Sequence, residues 1–164
     1  KTLNTITGKW FWDWNDFFCV KANIQGGRIL KVGVDVVDVE RFYEVGDKFI
    51  ERVYTDEEKK YIQNFNSQAE HLAGFFCAKE AFLKALNLNI EGLSLNEIEV
   101  FHDENGQPKI KLHGEVKKLF ESLSEKEILL SISHSQKTAI AVVLLNWKKG
   151  LKVLFFNFVQ NPNL

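Results

Sequence analysis

Apolar residues along this chain follow two alternating periods. From Ile29 to Val39 the sequence is dominated by β-branched residues (Ile29, Val32, Val34, Val36, Val37, Val39), which predicts a strand. From Glu40 to Val53 the apolar residues Phe42, Val45, Phe49 and Val53 recur at helical spacing among charged neighbours. Thr55-Asp56-Glu57-Glu58 is a capping-box pattern, with Thr55 as N-cap and Glu58 at N3, and it should open a short helix running to about Phe65. The strongest helical pattern spans His71 to Leu86, where Leu72, Phe75, Phe76, Ala78, Phe82, Leu83 and Leu86 form a broad apolar face. Ile98–Phe101 and Ile110–Leu112 flank a turn-forming stretch, Asp103 to Pro108, whose Asn105-Gly106 pair marks a hairpin. Glu115–Leu123 reads as a short amphipathic helix. Ile128–Ile132 and Ala139–Leu145 read as paired buried strands around Ser133-His134-Ser135-Gln136.

Strands and helices do not alternate regularly, so the expected class is α+β, with a mainly antiparallel sheet packed against a long helix. Residues 29–146 form the expected domain. Residues 1–28 hold Trp10, Trp12 and Trp14 and end at the break Gln25-Gly26-Gly27, and are read as an N-terminal extension. Residues 147–164 are read as a C-terminal tail, whose hydrophobic part from Leu151 to Val159 suits an extra strand, an interface or an aggregation liability.

Composition narrows the setting. With 164 residues, 45% of them hydrophobic, the chain can build one domain with a real core. A net charge of -1 gives no bulk attraction to nucleic acid or to an anionic membrane, and no apolar run is long enough to cross a bilayer. Two cysteines, Cys19 and Cys77, make no disulfide framework and suit a reducing compartment, so a cytoplasmic location is expected. The sequence contains no methionine, even at position 1, and reads as a fragment or a processed form.

The candidate chemistry lies in two segments. Asp35 interrupts the run Val32-Gly33-Val34-Asp35-Val36-Val37 and points opposite to Val34 and Val36. It is either a solvent-facing residue on an edge strand or an oxygen ligand for Mg²⁺, an ion that often takes one or two carboxylates plus substrate phosphates. Glu80 and Lys84 lie one helical turn apart. They form either an exposed ion pair or, on the narrow polar face of an apolar helix, a carboxylate and a cation able to serve a transferring phosphate. Lys79 alone reads as a solvated lysine. Ser133-His134 ends a strand, and the histidine caps a turn, binds a phosphate or relays a proton. His71, His102 and His113 have no metal-ligand spacing with the cysteines and read as structural or surface residues, while Cys77 reads as core. No Gly-x-Ser-x-Gly elbow, P-loop or dinucleotide fingerprint is present. Arg41, Lys48 and Arg52 share roughly one face of the helix expected after the first strand. They are either solubilising charge or a basic face for an acidic protein partner.

In order along the chain, Gly33 to Phe42, Phe49 to Thr55, Leu72 to Leu86, Ile98 to Val100, Asn105 to Pro108 and Ser131 to Ser135 resemble the holo-acyl-carrier-protein synthases, the small 4′-phosphopantetheinyl transferases. The resemblance covers about residues 29–146 and implies a fold of that type. It implies Mg²⁺-dependent transfer of 4′-phosphopantetheine from coenzyme A to a serine of apo-acyl carrier protein, with release of adenosine 3′,5′-bisphosphate. By the same resemblance Asp35 and Glu80 bind Mg²⁺, and Lys84 contacts the pyrophosphate. Lys79, Ser133 and His134 fall in segments lining the coenzyme A site, and Arg41, Lys48 and Arg52 dock the acidic carrier. The carrier serine needs a base, for which Glu80 or a metal-bound water is the candidate. The family's typical assembly is a trimer with sites at subunit boundaries.

Two departures stand against that pattern. Asn87-Leu88-Asn89 replaces the family's frequent Gly-Thr-Gly, which puts the close approach of backbone to phosphate at Asn87 in question. Phe75 stands where the family often has Arg. Both favour an alternative, a carrier-binding module of the same fold without turnover; another Mg²⁺-dependent enzyme acting on a nucleotide pyrophosphate is a further alternative.

Overall fold

The computed structural model describes residues 20–24, 28–87, 93–122 and 126–148. Strand β1 (Val20–Ile24) and strand β2 (Arg28–Asp38) are followed by a 3₁₀ turn, Val39–Phe42. Helices α1 (Asp47–Val53), α2 (Asp56–Ile62) and α3 (Gln68–Leu86) come next, then a short 3₁₀ turn at Leu95–Glu97. Strands β3 (Ile98–His102) and β4 (Pro108–Leu112), helix α4 (Gly114–Ser122), and strands β5 (Lys126–His134) and β6 (Thr138–Lys148) complete the order.

All strand pairs are antiparallel, in a four-stranded sheet of order β1-β2-β6-β5 and a separate β3-β4 hairpin. Helix α3 packs across one face of the larger sheet. Side-chain alternation sends Gly33, Asp35 and Val37 toward α3, opposite Val143, Ala141 and Ala139 of β6. Those three β6 residues and Leu145 are fully enclosed. The other face carries Val34, Val36, Leu129 and Ile140, all exposed. The expectation of wholly buried β5 and β6 strands is therefore corrected: this sheet is covered on one face only.

Local signals explain several boundaries. The capping box at α2 is formed, with Glu58 N–H donating to Thr55 Oγ1 at 3.2 Å and Thr55 N–H donating to Glu58 Oε2 at 2.8 Å. Beyond Ile62 the chain tightens into i→i+3 bonds at Asn64 and Phe65, so the helix stops short of Phe65. The single helix expected over Glu40–Val53 is split. Val39–Phe42 makes a 3₁₀ turn and α1 starts only at Asp47, because Gly46 serves as N-cap and would be costly inside a helix. The domain limits at 29 and 146 cut through paired structure, since Val20–Ile24 pairs with Arg28–Val32 and β6 runs to Lys148. The tryptophans of the expected extension and the tail segment Leu151–Val159 lie outside the described residues.

Candidate active site

The site is built where β2 crosses α3. Gly33 makes the crossing possible. A Cβ at this position would stand 1.9 Å from the Ala81 carbonyl oxygen and 2.5 Å from Ala85 N, so only a residue without a side chain lets the strand lie this close to the helix backbone. Two residues on, with the same facing, Asp35 reaches the polar side of α3. Its Oδ1 accepts from Lys84 Nζ at 2.8 Å. Asp35 is thus on an interior strand and turned inward, which excludes the solvent-facing edge position.

Glu80 lies one turn before Lys84 on α3 and is 5% exposed. Lys84 pairs with Asp35 rather than with Glu80, so the expected i,i+4 surface pair is not formed. Glu80 Oε1 and Asp35 Oδ2 are both buried without a hydrogen-bond partner. Burial, and then the Asp35 charge, push the Glu80 carboxyl up to about 7, while Lys84 pulls it back. Cys77, one turn earlier, is fully enclosed, and its thiol donates to the Ala139 carbonyl at 3.3 Å. Burial and the Asp35 charge raise that thiol far above its ordinary value, so it stays protonated.

Part-buried Asp35 and buried Glu80, each with an enclosed oxygen that no hydrogen bond uses and with a lysine alongside, form a donor set that suits a hard divalent cation. Among the described residues no cluster of three or more His, Cys, Asp or Glu gathers. An ion held by two carboxylates would take its remaining oxygens from substrate and water. The arrangement can hold charge opposite a phosphate and can accept a proton near neutral pH.

Residues 31–143 match the 4′-phosphopantetheinyl transferase superfamily. The chain belongs to this family. The holo-[acyl-carrier-protein] synthase of Caldanaerobacter subterraneus subsp. tengcongensis is 39% identical over 116 residues, spanning 69% of this chain and 91% of that protein. The same-named protein of Caldicellulosiruptor saccharolyticus is 41% identical over 118 residues, spanning 71% of this chain and 95% of its own length. Among solved structures, the Chronobacterium ammoniagenes ACPS-CoA complex superposes with a TM-score of 0.64 at 37% identity, covering 73% of this chain and 98% of that one. As a superfamily member the chain is a transferase enzyme, and its α+β architecture is the fold of its structural relatives.

The other sequence-predicted residues of this transferase fall in different places. Lys79 is a correction. It is fully buried and donates to the Val53 carbonyl, to Glu58 Oε2 and to the Leu95 carbonyl, so it has no surface left to line a coenzyme A site. Ser133 and His134 are exposed at the end of β5. His134 Nδ1 lies 3.2 Å from Glu70 Oε2, in the first turn of α3, roughly 20 Å along that helix from Lys84 at 1.5 Å per residue. His134 is thus held toward the start of α3, while Ser133 follows Ile132, which is in register with Ala141 and, across it, with Asp35. Asn87 closes α3 in the left-handed conformation (φ 58°, ψ 42°), as a C-cap residue with a short polar side chain can. Arg41, Lys48 and Arg52 are exposed, but Arg41 sits on the 3₁₀ turn and the other two on α1, so they do not share one helix face as expected. Phe75 is buried and stacks on Tyr61 with ring centroids 5.7 Å apart.

The histidines outside β5 are engaged within the fold. His71 packs on Phe65, His102 stacks on Tyr61, and His113 Nε2 meets Glu99 Oε2 at 2.8 Å. Sequence reasoning missed the part Glu58 plays beyond its capping box. Its Oε1 also accepts from Val100 N–H at 2.7 Å, and its Oε2 takes the Lys79 ammonium at 2.7 Å. The one available signal was Lys79, a charge in the largely apolar middle of α3; Glu58, among Asp56, Glu57, Lys59 and Lys60, gave none.

Proposed function

We propose that this chain transfers 4′-phosphopantetheine from coenzyme A to a serine of apo-acyl carrier protein, with release of adenosine 3′,5′-bisphosphate. The observation that carries this reading is the pair of idle carboxylate oxygens, Asp35 Oδ2 and Glu80 Oε1, beside the Lys84 ammonium in a chain of this family. Asp35 and Glu80 would hold Mg²⁺, which when bound neutralises charge on the pyrophosphate. Lys84 stabilises the charge that develops on the departing bisphosphate. Glu80, whose carboxyl burial pushes up to about 7 in the absence of an ion, is the candidate base for the proton of the serine hydroxyl. The fit of the coenzyme A complex from Chronobacterium ammoniagenes supports coenzyme A as the donor, and the names of the relatives support acyl carrier protein as the acceptor.

The exposed outer face of the sheet supports self-association. Val34, Val36, Leu129 and Ile140 present apolar surface that a second and third copy would cover, as in a homotrimer. Ser133 and His134 would then serve a site of a neighbouring copy. Among the described residues no helix is long and apolar enough to cross a membrane.

The test is incubation of the chain with coenzyme A, Mg²⁺ and an apo carrier protein, followed by mass spectrometry of the carrier. A gain of one phosphopantetheine is the expected result. Carrier binding without that gain would favour a non-catalytic module. Bisphosphate release without any carrier would favour a different pyrophosphate chemistry.

A further inference from the structure

Helix α3 is enclosed on nearly every side. Leu72 through Leu83 form an unbroken run of buried residues, so no amphipathic stripe selects how the helix is rotated about its axis. Gly33 sets how closely β2 approaches α3. Rotation needs a directional contact, and Lys79 supplies one. Its ammonium donates to Val53 O, Glu58 Oε2 and Leu95 O, which uses all three of its protons. Both Glu58 oxygens are occupied as well, by Thr55 N–H and Lys79 on Oε2 and by Val100 N–H on Oε1. Five segments of the chain, α1, the start of α2, α3, the Leu95–Glu97 turn and β3, therefore meet at one fully satisfied ion pair. Its side chains are 0% exposed.

Lys79 and Glu80 are neighbours in sequence. On an α-helix adjacent side chains diverge by about 100°, so fixing the direction of one fixes the other. Lys79 points to the α1–α2 junction, whereas Glu80 shares the helix face of Lys84, whose ammonium reaches Asp35 of β2. A buried ion pair is weak evidence of net stability, and its best-attested use is to specify register.

We propose that Glu58 is a positioning residue for the transfer reaction: by holding the Lys79 ammonium inside the fold it fixes the rotation of α3 that turns Glu80 toward Asp35. This rests on the reading of Asp35 and Glu80 as the metal-binding carboxylates.

The experiment compares the wild-type chain with Glu58→Gln and with the charge-free double variant Glu58→Leu/Lys79→Met. Mn²⁺ binding is followed by electron paramagnetic resonance with coenzyme A present, alongside kcat, carrier KM and thermal unfolding. The double variant should fold with reduced stability, because apolar replacement of a buried pair is often neutral or stabilising but here orphans Val100 N–H and the Val53 and Leu95 carbonyls. It should bind Mn²⁺ about 10–100-fold more weakly, the range typical of losing a supporting residue behind a metal ligand. Its kcat should fall while its carrier KM stays unchanged. A folded double variant with wild-type Mn²⁺ affinity and kcat overturns the positioning role and leaves the metal reading intact. A wild-type chain that binds no Mn²⁺ overturns both. Failure of both variants to fold would make the pair a condition of the fold itself, which also overturns the role given to Glu58.

Discussion

Lys84 Nζ lies 2.8 Å from Asp35 Oδ1, a contact that spans 49 positions of the sequence and joins the central strand to the long helix. It uses only one oxygen of Asp35. The other, Oδ2, is buried and idle, as is Oε1 of Glu80. A buried carboxylate oxygen without a partner is costly unless something else uses it. On the proposed function, the lysine occupies half of a site whose other half would take the added cation.

Removing Asp35 tests that division. Asp35→Ala deletes the lysine's partner and one of the two idle oxygens, yet adds no volume beneath α3. The variant should keep its circular dichroism spectrum. Its transfer activity should fall by more than the roughly 10–100-fold typical of losing a group that only supports a ligand. Near-normal turnover with unchanged metal dependence would remove Asp35 from the site.

Gly33 predicts a different failure. In Gly33→Ala the new methyl would meet backbone atoms, the Ala81 carbonyl and Ala85 N, which cannot swing aside as a flexible side chain can. Overpacking usually costs about 1–3 kcal/mol, and a backbone clash should reach or exceed the upper end of that range. Urea unfolding measures it, and a wild-type midpoint would show that β2 and α3 can separate freely.

The geometry of this site explains which parts were legible in the sequence. Asp35 could be assigned a face because strand alternation is local, but that β2 is interior depended on β1 and β6 flanking it, and that the face is inside depended on α3 covering it, both long-range facts. Thr55 and Glu58 were readable as a cap because three residues suffice to form one. That Glu58 also holds Lys79 was hidden, since the partners are 21 residues apart and the pattern around Lys79 gives only helical phase. The helix expected from Glu40 to Val53 failed at Gly46, where a local backbone preference outweighed periodicity. The spread of Arg41, Lys48 and Arg52 over two elements follows from that break. His134 meets Glu70 at the start of α3, a contact between distant segments that no local pattern predicts.

The basic residues nevertheless remain exposed and near one another in sequence, and they form a proposed docking surface for an acidic carrier. Arg41→Glu should raise the carrier KM, by tenfold for about each 1.4 kcal/mol of repulsion introduced, with little change in kcat. The difference from wild type should shrink as salt rises and screening shortens to about 3 Å near 1 M. A carrier KM unaffected at low salt would sink the docking surface.

Asn87 is the one non-glycine residue with positive φ among those described. Asn87→Ala should lower stability by about 1–2 kcal/mol, the cost of placing an ordinary Cβ in left-handed backbone. Asn87→Gly should be tolerated and should lower the coenzyme A KM, because it clears the approach to the end of α3 beside Lys84. If Asn87→Gly leaves that KM untouched, Asn87 is a helix cap and nothing more.

Glu80 carries a pH signature whose sign follows from linkage. Its carboxyl is raised from 4.5 to about 7 in the folded chain, chiefly by burial. Between those values the folded state holds a proton that the unfolded state has lost, so stability falls as pH rises through the window and is lowest above it. At 1.36 kcal/mol per unit the whole effect is roughly 3 kcal/mol. Glu80→Gln abolishes the titration. In the presence of a chelator, its thermal midpoint relative to wild type should climb as pH goes from 5 to about 8 and level off beyond. Added Mg²⁺ should then raise the wild-type midpoint at pH 8 and leave the variant nearly unmoved, because the ion binds the deprotonated carboxylate and stabilises only the state that can hold it. A gap between the two proteins that does not change with pH would mean that Glu80 is ionised throughout, and the proton-accepting role assigned to it would then have no basis.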